Sequence, residues 1–227
     1  MKYLSLLLAL VSLAAGAMEP GSQYKQQAES GDPRAQYYLA DTYVSSGDYP
    51  QAEYWAQKSA ENGDGDALAL LAQLKIRNPQ NADYKQARQL AEKSVQAGSK
   101  AGEIVLARVL VNHQAGKPDY THAITLLQDA AQDPESDSAV DAQMLLGLIY
   151  ASGVQIAEDD AAASLYFKRS SSLSRTGYAE YWAGMIFQQG EKGFIEPNQQ
   201  KALHWLNVSC QEGFDTGCEE FERITKG

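Results

Sequence analysis

Two cysteines, Cys210 and Cys218, bound the stretch CQEGFDTGC near the C-terminus. A thiol pair supports either redox exchange or a structural bridge. Active dithiols favour C-x-x-C at a helix start, where the thiolate is stabilised, and this pair does not have that form. A tight turn between the facing ends of two helices brings Cα atoms within bridging distance. One intramolecular disulfide is therefore expected, joining Cys210 to Cys218 and stapling the terminal segment GCEEFERITKG to the helix before it.

The other reactive side chains do not assemble into a centre. His113, His122 and His204 have no partner at i+3 or i+4, and no H-E-x-x-H spacing occurs, so no metal is expected. The acidic run ENGDGD, Glu61 to Asp66, lacks the Gly at position six and the Glu at position twelve of a calcium loop begun at Asn62. It reads instead as the end of one helix and the N-cap of the next. Ser22-Gln23-Tyr24-Lys25 has the S-x-x-K spacing of a serine acyl-transfer nucleophile, but S-D-N and K-T-G elements are both missing. Asn207-Val208-Ser209 is a formal glycosylation sequon inside an expected helix. With no Gly-rich phosphate loop either, neither catalytic residues nor a cofactor are expected, and binding is the chemistry that remains.

What positions these residues is a repeated element. In Ala35 to Gly63, AQYYLADTYVSSGDYPQAEYWAQKSAENG, Ala35, Leu39, Ala40 and Tyr43 share one helical face. Ala52, Trp55 and Ala60 share another, across the turn SSGDYP. The spacing returns four more times. The first-helix small residue is Ala35, Ala67, Gly102, Ala142 and Ala179, and the fifth residue on is Ala40, Ala72, Ala107, Gly147 and Gly184. Second helices carry Ala52, Ala87, Ala123, Ala163 and Ala202, with Trp55, Leu90, Leu126, Tyr166 and Trp205 three residues later. Successive units start 32, 35, 40 and 37 residues apart, and a solenoid absorbs such variation in its turns. Gly21 to Gly31 reads as half a unit and is expected to cap the stack. Ala131 to Ser138, AQDPESDS, is expected to be an exposed loop. The second unit, with Lys75 in the Tyr position, has the least secure register.

Residue by residue the unit resembles the Sel-one-like repeat, a relative of the tetratricopeptide repeat, whose pattern is A-x-x-x-L-G-x-x-Y followed by K-A-x-x-W-x-x-K-A-A-x-x-G. AQMLLGLIYASG from Ala142 and KALHWLNVSCQEG from Lys201 match best. The resemblance implies an all-α, right-handed superhelical solenoid of about five helix-turn-helix repeats with capping helices at both ends. It also implies a cysteine bridge between neighbouring repeats. In tetratricopeptide-like stacks the first helices line a concave face, into which point the residues two before and two after the Leu of each unit. Carried over, that gives one row of Tyr37, Ala69, Ile104, Met144 and Tyr181 and another of Asp41, Gln73, Arg108, Leu148 and Met185, with Tyr178 beside them. The function implied is a non-enzymatic scaffold that binds an unknown protein or peptide. Penicillin binding, associated with some cysteine-rich members, is the alternative.

Address and charge complete the reading. Lys2, the apolar run YLSLLLALVSLAAGA and Ala15-Gly16-Ala17 fit a secretory signal over residues 1–17, cleaved before Met18. The run is short for a membrane span and no basic stop-transfer segment follows, so no anchor is expected after cleavage. With the bacterial resemblance, this predicts a soluble periplasmic protein of a Gram-negative cell. The whole chain carries 19 basic and 29 acidic side chains, a net charge of −10. That balance argues against nucleic acid and anionic membrane as partners.

Overall fold

A computed structural model describes residues 21–77, 81–134, 136–171 and 176–226; the expected signal segment, 1–17, lies outside the described residues. Five antiparallel helix pairs follow one another: α2 (Pro33–Ser46) with α3 (Tyr49–Glu61), α4 (Gly65–Ile76) with α5 (Tyr84–Gln96), α6 (Lys100–Val111) with α7 (Tyr120–Ala130), α8 (Asp137–Ser152) with α9 (Asp160–Ser171), and α10 (Tyr178–Gln189) with α11 (Gln199–Gln211). The caps are α1 (Ser22–Glu29) and α12 (Asp215–Lys226). α4 touches both α2 and α6, and α6 touches α8, whereas each second helix packs on the first helices of its own pair and the next. α2, α4, α6 and α8 therefore form one continuous layer, as a solenoid requires.

The helix starts explain part of the acidity. Asp32, Asp48, Asp64, Asp83, Asp119 and Asp159 each accept a hydrogen bond from a backbone N–H in the first turn of the helix that follows. Such caps satisfy orphan donors, and replacing one by Ala costs about 1 kcal/mol. ENGDGD is a cap of this kind: Asp64 holds the start of α4.

In the last two pairs a glycine on the first helix makes room for a large side chain on the second. Gly147 of α8 faces Phe167 of α9, whose ring would lie 2.3 Å from any Cβ added at 147. Gly184 of α10 faces Leu206 of α11 in the same way, at 2.6 Å. In the first two pairs, where the second-helix residue is only Ala56 or Ala91, the first helix can carry Ala40 or Ala72. A serine secures four of the pairs: Ser59, Ser94, Ser170 and Ser209 donate to the carbonyls of Pro33, Gly65, Val140 and Gly177. In the third pair that position is Ala130.

The second unit keeps the common register, since Ala67, Leu71 and Ala72 are all buried, and Lys75 in the Tyr position pairs with Glu53 on α3. The acidic loop is shorter than expected. α8 begins at Asp137, because the Ser136 hydroxyl accepts from the Ala139 N–H and starts the helix inside the segment. Cys210 and Cys218 are bridged, their Cα atoms 4.5 Å apart.

One connection departs from the repeat. Between α10 and α11, residues 190–198 form a strap with a bridge between Glu191 and Ile195. It folds back to the end of α6, where the His113 N–H donates to the Gly193 carbonyl at 2.8 Å and Asn112 Nδ2 to the Lys192 carbonyl at 3.1 Å. Phe194 and Ile195 are buried in the main hydrophobic cluster, Phe194 beside the Tyr120 ring. Gly193 is required here: its φ is +86°, and a Cβ would fall 2.2 Å from Asn112 Oδ1.

Two outcomes follow from this packing. Gly147→Ala should lower stability by about 1–3 kcal/mol in urea unfolding, the usual cost of overpacking a filled core. Replacing Cys210 and Cys218 together by Ser should remove about 2–3 kcal/mol of loop-closure stabilisation. In the second variant hydrogen exchange should rise first in α12.

Candidate functional site

The concave layer contains a groove of about 440 Å³. Its stripe from α6 is Ile104, Arg108 and Asn112, spaced four apart and so on one helical face. α4 contributes Gln73, Ile76 and Arg77, and α8 contributes Asp141 and Met144. The strap supplies the last wall with Glu191 and Lys192. Ile104 is 7% exposed and Val105 beside it 1%, so the floor is apolar and the rim charged.

Each rim group has a defined setting. The Arg77 guanidinium lies 3.3 Å from the centre of the Tyr49 ring, a cation-π contact that fixes its direction. Arg108 NH1 is 3.5 Å from Glu191 Oε1. Desolvation by the surrounding walls holds the Asp141 carboxyl above its ordinary value, against the pull of Arg108. Asn112 is committed to structure: it donates to the strap, and its Oδ1 accepts from the Gln114 N–H at 2.9 Å.

The ten residues expected on the concave face separate into three groups and two single residues. Gln73, Ile104, Arg108 and Met144 converge on the groove. Tyr37 and Asp41 lie on α2, where the Arg34 guanidinium sits 5.0 Å from the Tyr37 ring centre; burial, with Asp41 next in effect, pushes the Tyr37 phenol up to about 12. Tyr178 and Tyr181 form an aromatic group with Trp182 and Phe214, in which Tyr178 and Trp182 are 40% and 43% exposed. Met185 is half-buried on α10. Leu148 is a correction: at 2% exposure it belongs to the hydrophobic cluster that includes Phe194 and Ile195 of the strap, so no partner can reach it.

Repeat spacing missed Arg77, Asp141, Glu191 and Lys192. The available signal was the turn QGEKGFIEPN, which is longer than SSGDYP and carries the adjacent apolar pair Phe194 and Ile195. Ser22 and Lys25, the S-x-x-K pair, are on the exposed side of α1. Among the described residues no three His, Cys, Asp or Glu side chains are grouped to hold a metal ion.

The Sel1 repeat model matches residues 33–64, 77–99, 140–174 and 177–214, more than half of the chain. The chain belongs to the Sel1 repeat family. It is 66% identical over 227 residues to the Sel1-repeat-containing protein YjcO of Escherichia coli strain K12, covering 100% of this chain and 99% of that one. A crystal structure of a sel1 repeat protein from Klebsiella pneumoniae subsp. pneumoniae superposes with a TM-score of 0.89 at 84% identity, covering 91% of this chain and 100% of that chain. A Sel1 repeat protein from Oxalobacter formigenes shares the fold at a TM-score of 0.55 and 22% identity, over 83% of this chain and 75% of that one. The Sel1 matches leave out 65–76 and 100–139. Those two stretches supply Gln73, Ile76, Ile104, Val105, Arg108 and Asn112, half of the groove lining.

One buried acid lies outside the groove. Glu180 is 1% exposed; its Oε2 accepts from the Ser171 hydroxyl at 3.4 Å, while Oε1 has no partner among the described residues. Burial raises its carboxyl above the ordinary value. The corresponding residue of the first unit, Gln36, satisfies both ends of its amide, donating to the Ala28 carbonyl and accepting from Asn62 Nδ2. A raised folded-state pKa means that the native form holds its proton more tightly than the unfolded chain, so ionisation at neutral pH weakens the fold. Glu180→Gln should raise the melting temperature at pH 7 by about 2–4 °C, the shift that roughly 1 kcal/mol produces in a chain of this size. It should also flatten the gain in stability that the native protein shows on acidification from neutral pH into the range where this carboxyl protonates.

Proposed function

We propose that the protein is an exported, non-enzymatic adaptor that holds a segment of another protein in the groove between α4, α6, α8 and the strap. The carrying observation is convergence: Gln73, Ile104, Arg108 and Met144, spread over three units, line one open depression with an apolar floor and a charged rim. Apolar surface left open in this way marks contact sites on soluble proteins. Export is supported by the leader-like residues 1–17 and by the disulfide, a bond that persists in oxidising compartments. Among the described residues no helix is long and apolar enough to cross a membrane.

The test is affinity capture from a periplasmic extract, comparing native protein with Met144→Asp. A carboxylate on the half-buried floor should weaken a partner's binding at least about tenfold, roughly 1.4 kcal/mol. The circular dichroism spectrum should remain that of the native protein. A partner retained equally by both forms would place the contact elsewhere.

A further inference from the structure

The groove already holds a carboxylate borne by peptide: Glu191, on the strap, projects against Arg108. Both side chains are partly exposed, and their N···O distance of 3.5 Å is long for a charge-assisted hydrogen bond. A pair of this kind contributes little, so another carboxylate can replace it. The surrounding charge favours such an exchange. Across a chain of net charge −10, the groove gathers three cations, Arg77, Arg108 and Lys192, against Asp141 and Glu191. Beside Arg108 the floor offers Ile104 and Met144, which suit an apolar side chain next to the acidic one.

We propose that the groove recognises an extended acidic peptide segment in which a carboxylate neighbours an apolar residue, and that Glu191 is the built-in competitor for its seat on Arg108. This rests on the groove being the binding site. The strap thereby sets a threshold: a ligand must displace Glu191 before it gains Arg108, and weakly acidic or neutral segments do not.

The experiment is fluorescence polarisation with the purified folded protein and three labelled eight-residue Gly/Ser peptides carrying Leu-Glu-Leu, Leu-Gln-Leu or Leu-Lys-Leu at the centre. The Glu peptide should bind at least about tenfold more tightly than the other two, the preference that one charged contact supports. Arg108→Met should abolish the preference with the helical spectrum intact. Glu191→Gln should tighten the Glu peptide by about two- to fivefold, the range of an exposed ion pair, and leave the Gln peptide unchanged. Equal binding of all three peptides, a preference for Lys, or a Glu preference that survives Arg108→Met overturns the inference. So does failure of every peptide to bind at millimolar concentration. If the peptides fail while Met144→Asp still releases a captured partner, the acidic-ligand inference falls and the groove stands; if capture is also insensitive to Met144→Asp, both fall.

Discussion

Everything in this molecule depends on how closely the two helices of a pair approach. The residues that meet between them change along the stack. Ala with Ala fills the first two, while Gly147 with Phe167 and Gly184 with Leu206 fill the last two. Total volume, more than residue identity, is what a close-packed interior holds fixed. α6 lies against both α4 and α8 in the inner layer. The inner layer can then bring side chains from three units to one place.

The groove lies where the chain departs from the matched repeat: α4 and α6, which fall outside the matched Sel1 segments, line much of it. The third pair also lacks the serine that secures the other four. Instead, α6 is tied by Asn112 and His113 to the strap. The same end of α6 thus packs against the strap through Asn112 and presents Arg108 to the groove one turn earlier. This division explains why Asn112 is buried with its amide satisfied while Arg108 remains half open.

Much of this was legible in the residues. Rows such as Ala40, Ala72, Ala107, Gly147 and Gly184 contain no side chain larger than Ala, and 3.6-residue periodicity converts them directly into paired helices. CQEGFDTGC likewise told which thiols would meet. Four of the ten inner-face residues reached the groove because it follows the repeat register. Leu148 was misplaced because register cannot reveal which residues of a helical face the rest of the chain will bury. Its burial goes with Phe194 and Ile195, nearly fifty residues later in the chain. Glu191 escaped for the same reason, as a local pattern carries no information on contacts made across 83 residues. The register of α4, doubtful at Lys75, is held by the burial of Ala67, Leu71 and Ala72, and Lys75 itself turns to Glu53 on α3.

The strap also changes the kind of object this solenoid is. An open stack is an arm: each unit touches only its neighbours, and any of them can loosen alone. Here α6 to α10 run through successive neighbours and the strap returns to α6, closing a ring, while α1 to α3 hang from it through α4. A ring cannot be loosened at one joint without straining the others. It also cannot close until the chain has been made as far as Ile195, since the last segment of its circumference lies there. Between the completion of α8 at Ser152 and the arrival of Ile195, then, the growing chain has the helices of its groove without the fourth wall, and that wall is added when the circle is completed.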